Sequence, residues 1–496
     1  MPSFGSLRLC VKNLIAAILQ QHLYFKATLS GFHKTGVDMQ ISRRQLGFGL
    51  GSLAFAGLAA RSIAQAPVAG MNEVRGYGAL VRDPNNLIDL PRGFSYRVIS
   101  RLGNIMDDGF LVPNAADGMG AFDLGKGKVA LVCNHELGVG DSGVGPFTSA
   151  VPKDFITYDR MADDKSMPLP GGTTTLIYDM KTGQREAEWL SLSGTIRNCS
   201  GGITPWGSWL TCEENTTKAG NGVGKDHGYI FEVPASHRGL VAPEPLKAMG
   251  RFNHEAACID PRTGIAYLTE DRGDSLLYRF IPNEKGKLAK GGRLEALAFV
   301  ESDIKDTRNW TEVQVSKGKQ HRVKWIPLSN PESPDDDLRK QGAAKGAALF
   351  ARGEGIFWGK GELFFACTNG GAAKFGQIFR YVPAVNEGFP GESDSPGIID
   401  LYMESTNPAF YNYGDNLCVM PNGHLMVCED QYTDISDNHI RGVNGAGETY
   451  MIAKARVQTE FAGGCFSPDH STMFVNLMKP TATLAITGPW GRVKST

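Results

Sequence analysis

The chain has 496 residues, of which 42% are apolar and 21% charged, and its formal net charge is −1. Those proportions belong to a globular protein, and the balanced charge excludes a general nucleic-acid binder, which needs a basic excess or stripe against phosphates. Sixty-one glycines and 26 prolines favour many turns and short strands over long helices.

The first element is an address rather than part of a fold. In "ISRRQLGFGLGSLAFAGLAARSIAQA" the pair Arg43-Arg44 precedes a Gly/Ala/Leu run and a small-residue cleavage site at Ala64-Gln65-Ala66. This reads as a twin-arginine export signal. A transmembrane anchor is the plainer alternative, and the weaker one, because the run is short and glycine-rich. Met39 stands four residues before the arginine pair and is the expected true start. Residues 1–66 are thus the expected N-terminal extension plus signal, and 67–496 the expected single folded domain. The expected location is periplasmic or secreted, with the twin-arginine export machinery as a partner. Eight of the nine cysteines follow the signal, an even number that permits disulfides in an oxidising compartment. No CxxC occurs, so neither a zinc finger nor a thioredoxin-type motif is supported.

Beyond the signal, short apolar runs bounded by turns recur: "KVALVCNHE", "GSWLTCEEN", "HGYIFEVP", "GIAYLTED", "SLLYRFIP", "GELFFACTNGG", "GQIFRYVP" and "GHLMVCED". "HGYIFEVP", "SLLYRFIP" and "GQIFRYVP" play one role. "DPRTGIAYLTED", "MPNGHLMVCED" and "SPDHSTMFVNL" are copies of another, a proline-initiated hairpin leading into a strand. Degenerate four-stranded units at such spacing predict an all-β propeller, whose innermost strands line a central channel; a β-sandwich is the alternative. Residues 140–172 and 304–345 break the pattern and read as loop insertions over one face.

Carboxylates mark the ends of these runs: Glu136, Glu213 with Glu214, Glu255, Glu270 with Asp271, Glu354, Glu429 with Asp430, and Glu460. If the runs face one channel, six or more acidic groups converge, and their repulsion calls for cations among them. Oxygen ligands suit hard cations such as calcium, magnesium or ferric iron. Calcium that merely braces the propeller, or carboxylates solvated in turns, are the plainer readings. Cys199, in "RNCSGGITPWGSWLTCEEN", is either a buried apolar residue or a thiolate for a transition metal. Arg352 lies two residues before Glu354, on the same strand face. Its planar fork is either a structural partner of that glutamate or a receiver of phosphate or carboxylate.

On "LVCNHE", "NCSGGITPWGSWLTCEEN", "RFNHEAACIDPRTGIAYLTEDRGDSLLYRFIP", "RGEG", "DNLCVMPNGHLMVCED" and "EFAGGCFSPDHSTMFVNLMKPTATLAITGPW" the sequence resembles the PhoX family of secreted alkaline phosphatases. The resemblance runs from about Asn134 to Trp490. It implies a six-bladed propeller with a mixed iron–calcium centre (Fe3+ and Ca2+) that hydrolyses phosphate monoesters of small organic molecules. It implies Cys199 as an iron ligand and Glu255 and Glu354 as ligands within the cluster. Glu213, Glu214, Glu270, Asp271, Glu429, Asp430 and Glu460 are candidates for the remaining positions. Asn134 and Arg352 would hold substrate oxygens. One departure is plain: "LGVG" follows Asn134-His135-Glu136 where larger members carry an aromatic and a threonine, so phosphodiester hydrolysis stays open.

No GxSxG nucleophile elbow sits at a strand–helix turn, so metal-centred attack is expected. A calcium-dependent lactonase and a non-enzymatic calcium-braced binding propeller are the rival functions. A monomer is expected.

Overall fold

The apolar runs become 26 strands in a computed structural model that describes residues 74–301, 303–431 and 437–493. The export-signal expectation therefore lies outside the described residues. Three N-terminal strands, β1 (Leu80–Val81), β2 (Ile88–Pro91) and β3 (Ser95–Arg101), precede a four-stranded antiparallel sheet of β4 (Ala116–Asp123), β5 (Lys128–His135), β6 (Gly171–Asp179) and β7 (Gln184–Thr195). A three-stranded sheet follows, of β8 (Asn198–Ile203), β9 (Ser208–Glu213) and β10 (Ile230–Pro234).

The next sheet has nine strands. It contains β11 (His254–Ile259), β12 (Ala266–Glu270), β13 (Tyr278–Pro282), β14 (Gly292–Phe299) and β15 (Gln320–Pro327), then β16 (Gly353–Trp358), β17 (Leu363–Cys367), β18 (Gln377–Val382) and β19 (Ile398–Glu404). Two antiparallel fours, β11–β14 and β16–β19, are fused because β15 hydrogen-bonds to both β14 and β19. The last units are β20 (Gly414–Val419), β21 (Leu425–Glu429), β22 (His439–Val443) and β23 (Thr449–Ala455), extended by β2 and β1, and β24 (Phe461–Phe466), β25 (Thr472–Leu477) and β26 (Ala482–Thr487). β3 completes this final sheet by pairing with β26, from Thr487↔Ser95 to Ala482↔Arg101, so the chain's two ends close one sheet.

Hydrogen bonding thus defines five sheets rather than six equal ones. The first strand of each unit packs against the first strands of its neighbours in one closed circuit, β4–β8–β11–β16–β20–β24–β4. The fold is all-β and propeller-like. The segment 304–345, read as loop, instead supplies β15, where His321 and Val323 alternate with exposed residues, and one short helix, Leu338–Ala344. Strands β10, β13 and β18, the three runs given one role in the sequence, are the third strands of their units.

All eight cysteines among the described residues are buried and unpaired, so no disulfide forms there. No helix among those residues is long and apolar enough to cross a membrane.

Close approach of the first strands explains some of the glycine content. A Cβ on Gly202 would lie 1.9 Å from the Ala257 carbonyl oxygen on the neighbouring strand. Neither backbone can yield without opening the circuit. Gly202→Ala should cost about 3 kcal/mol or more, while Gly140→Ala, where an added methyl meets nothing, should stay within about 0.5 kcal/mol. Equal melting temperatures for the two variants would show that the strands are not in this contact.

Candidate metal centre

All six first strands slip register near their start. The irregularities fall at Ala116/Met119, Asn198/Gly201, His254/Ala257, Gly353/Ile356, Gly414/Leu417 and Ala462/Cys465. A bulge bends its strand and re-aims the side chain beside it. The residue just after each slip begins is Asp117, Cys199, Glu255, Glu354, Asp415 and, in the last unit, Gly463. Four of the strands are entered through a non-glycine residue in the left-handed region: Ala115, Arg197, Arg352 and Tyr413, with φ of 53°, 47°, 53° and 51°. Such backbone is costly and persists where its surroundings enforce it.

A second set of carboxylates comes from the second strands. Glu136, Glu214, Asp271 and Asp430 each immediately follow β5, β9, β12 and β21, and Glu460 immediately precedes β24. All residues of the two sets but Asp271 and Gly463 make four overlapping triads: Asp117–Glu136–Cys199, Cys199–Glu214–Glu255, Glu255–Glu354–Asp415 and Asp415–Asp430–Glu460. Within each, one ligand atom per residue lies within 4.8 Å of the others. Cys199, Glu255 and Asp415 are each shared by two triads, so the groups form a continuous chain across the mouth of the circuit.

The electrostatics of that chain are severe. Two like charges 4.8 Å apart repel by about 3.5 kcal/mol at an effective dielectric of about 20. Burial, then Glu354 and Asp415, drives the Glu255 carboxyl far above its ordinary range. Burial, then Glu136 and Asp415, does the same to Asp117, and burial, then Asp117 and Glu255, to the Cys199 thiol. Glu354 and Glu460 are likewise raised, first by burial. Burial, with Glu136 and Asp271 working against Arg197, pushes Glu214 up to about 8. Burial and Asp430, opposed by Arg352, bring Asp415 to about 8. Among the described residues neither oxygen of Glu255 nor Oδ1 of Asp117 has a hydrogen-bond partner. Buried carboxylates without donors are rare and costly. A set of eight carboxylates and one thiol with orphaned oxygens fits multivalent cations of the hard and transition classes.

Two arginines brace the chain from equivalent places. Arg352 grips Asp271 with Nε and Nη2, at 2.7 and 2.9 Å, and reaches Glu354 Oε1 at 3.1 Å. Arg197 bridges Glu136 and Glu214. Lys479 also lowers the cost of ionising Glu136.

The sequence-derived residues divide cleanly. Cys199, Glu214, Glu255, Glu354, Asp430 and Glu460 lie in the triads, with Asp271 and Arg352 alongside. Glu213, Glu270 and Glu429 do not join them, because successive strand residues point to opposite sides and each precedes the residue that faces the cluster. Glu213 instead accepts from His227 Nδ1 (2.6 Å) and from the backbone N–H groups of Ile196, Gly228 and Tyr229. Burial disfavours charge on His227, yet Glu213 and Asp159 override it and raise its pKa to about 9. Glu270 accepts from Tyr278 Oη (2.7 Å) and Arg339. Glu429 accepts from Asn412 N, His439 Nδ1 and Arg441 Nε.

The side chain of Asn134 is buried and hydrogen-bonded to protein groups. Its amide nitrogen donates to the carbonyls of Cys199 (3.0 Å) and Ser200 (2.7 Å), and its oxygen accepts from Trp209 Nε1 (2.9 Å). That use fixes the backbone of the thiol-bearing strand. Asp117 and Asp415 were not singled out in the sequence.

With this geometry in place, the sequence is found to match the PhoX alkaline phosphatase family over residues 75–154 and 153–481. The chain belongs to that family. It is accordingly a metal-dependent phosphatase, a hydrolase. Among solved structures, Pseudomonas fluorescens PhoX in complex with vanadate, a transition-state analogue, aligns with a TM-score of 0.63 and 18% identity, over 86% of this chain and 99% of that one. At that identity the likeness to the Pseudomonas PhoX speaks for the fold. Weaker likenesses are to the gluconolactonase XC5397 of Xanthomonas campestris (TM-score 0.37, 11% identity, 83% and 100% covered) and the WD40 propeller domain of Doa1 (0.36, 9%, 79% and 97%). No curated protein matches the sequence.

The raised carboxyls of this PhoX family member set a pH dependence with a definite sign. Without cations, the unfolded chain ionises Glu and Asp near pH 4, while Glu214 and Asp415 stay protonated in the folded protein up to about pH 8. The unfolded state therefore binds fewer protons in that window, and stability falls as pH rises. Chelator-treated protein should lose melting temperature from pH 4 to 8, and added cations should abolish or reverse that loss. A cation-independent profile across this range would contradict the assignment.

Proposed function

We propose that this chain is an exported phosphomonoesterase working on small phosphorylated organic molecules through an iron–calcium centre in a six-bladed propeller. The carrying observation is the chain of four triads with Arg352 at its edge. The thiol shared by two triads favours a transition metal such as ferric iron on the Cys199 side, and the all-oxygen triads favour calcium. The closed circuit of six first strands supports six blades, two of them fused through β15. Vanadate in the Pseudomonas PhoX supports a site shaped for a phosphoryl group. Arg43-Arg44 supports twin-arginine export to the periplasm or beyond, without a membrane anchor, and we expect a monomer.

In this reading Asp117, Glu136, Cys199, Glu214, Glu255, Glu354, Asp415, Asp430 and Glu460 hold the cations, which when bound supply charge stabilisation and an activated oxygen nucleophile. The chain's own contribution is positioning. Arg352, held by Asp271, offers its guanidinium to substrate oxygens, where it offsets charge that spreads over the transferring phosphoryl group. Glu213, Glu270 and Glu429 fix the strand ends from behind, and Asn134 fixes the backbone at Cys199. Phosphodiester hydrolysis remains the nearest alternative activity, on the strength of the "LGVG" departure.

Elemental analysis of protein from its own host should find iron together with calcium, and turnover of a phosphomonoester should exceed that of a phosphodiester. Arg352→Ala should lower phosphomonoesterase kcat/KM by about a hundredfold with metal content retained. Calcium alone with lactone hydrolysis would replace this reading with a lactonase. Full turnover by Arg352→Ala at saturating metal would remove that residue from the mechanism.

A further inference from the structure

An open polar depression lies beside the triads and shares Glu214 with one of them. It is open to solvent, holds about 430 Å3 and is lined by Arg197, Glu214, Asn215, Thr216, Thr217, Asn253 and Arg272. Its wall holds no apolar side chain, so it has nothing to offer an aryl or alkyl group. Two arginines line it beside a single carboxylate, Glu214, which also belongs to a triad with Cys199 and Glu255, and Arg197 is already paired with Glu136 and Glu214. The depression therefore adjoins the cluster at that shared residue.

Arg272 is the less committed of the two arginines. Its side chain is 35% exposed. Its contacts are long, 3.4 Å to Asp336 Oδ2 and 3.4 Å to the carbonyl of Asp271, near the limit at which such bonds retain strength. Its backbone is well fixed: its carbonyl accepts the N–H groups of both Ser275 and Arg352 at 3.0 and 3.1 Å. A firmly anchored main chain, bonded to the Arg352 N–H, thus carries a loosely held, partly exposed guanidinium. Planar donor forks of this kind match the paired oxygens of carboxylate and phosphate, and Thr216 and Thr217 add hydroxyl donors.

We infer that this depression is a specificity subsite for a second anionic group carried by the organic part of the substrate, with Arg272 as its principal anchor. The inference rests on the phosphatase reading and adds a substrate class to it: phosphomonoesters that also bear a carboxylate or a further phosphate.

Two matched pairs of probes test it. 3-Phosphoglycerate and glycerol 3-phosphate differ by a carboxylate in place of a hydroxymethyl group; fructose 1,6-bisphosphate and fructose 6-phosphate differ by one phosphate. In the wild-type holoenzyme kcat/KM should favour the more anionic member of at least one pair, and which pair responds tells carboxylate from phosphate. Arg272→Gln should reduce that preference about tenfold or more, as loss of a charge-assisted bond requires, and Arg272→Lys, keeping the charge without the fork, should fall between. A preference equal in wild type and Arg272→Gln, or absent from the wild type, would overturn the subsite. Failure of the wild type to hydrolyse any of the four compounds would overturn the phosphatase reading and the subsite with it.

Discussion

Mutual repulsion among buried carboxylates is the constraint on which the rest of this molecule depends. Eight carboxylates and a thiol, drawn from the full length of the propeller-like domain, stand within a few ångströms of their neighbours at one end of the strand circuit. Left to themselves, these groups would remain protonated or force the strands apart. The backbone resists through bulges at every first strand, left-handed residues at four strand entries, and a final sheet closed by β3 from the other end of the chain. Cations bound among them, as proposed, would complete the balance and turn a destabilising feature into a binding site.

Positioning is achieved by pairing each cluster-facing residue with a neighbour that faces the other way. Glu213, Glu270 and Glu429 sit one residue before Glu214, Asp271 and Asp430 and are tied to His227, Tyr278 with Arg339, and His439 with Arg441. A strand end anchored on one side presents its next side chain on the other with little freedom. The same logic gives Asn134 its place, since its amide spans two carbonyls next to Cys199. Pre-organised ligands of this sort lose little entropy when a cation or a phosphoryl group arrives.

Much of this was legible in the sequence. Short apolar runs bounded by turns and proline-initiated hairpins marked the strands, and acidic residues at their ends marked the convergence. What the runs did not reveal was which member of Glu213-Glu214, Glu270-Asp271 or Glu429-Asp430 faces inward, because that choice depends on a bulge in the partner strand. Asp117 and Asp415 escaped notice for a related reason: beside glycine and asparagine they look like turn formers. A usable signal was present, since Asp117-Gly118, Cys199-Ser200, Glu354-Gly355 and Asp415-Asn416 repeat one pattern of a ligand followed by a small or turn-forming residue. Nor did the highly charged segment 304–345 disclose β15, whose alternation spans only a few residues.

The account's central claim is that multivalent cations occupy the spaces between the shared residues Cys199, Glu255 and Asp415. Anomalous diffraction from crystals of the metal-loaded protein tests it most directly. The account predicts separate cation peaks along that line, with Glu255 coordinating through the oxygens that have no protein partner. Clear density for those side chains with no cation between them, in a crystal of active enzyme, would contradict it.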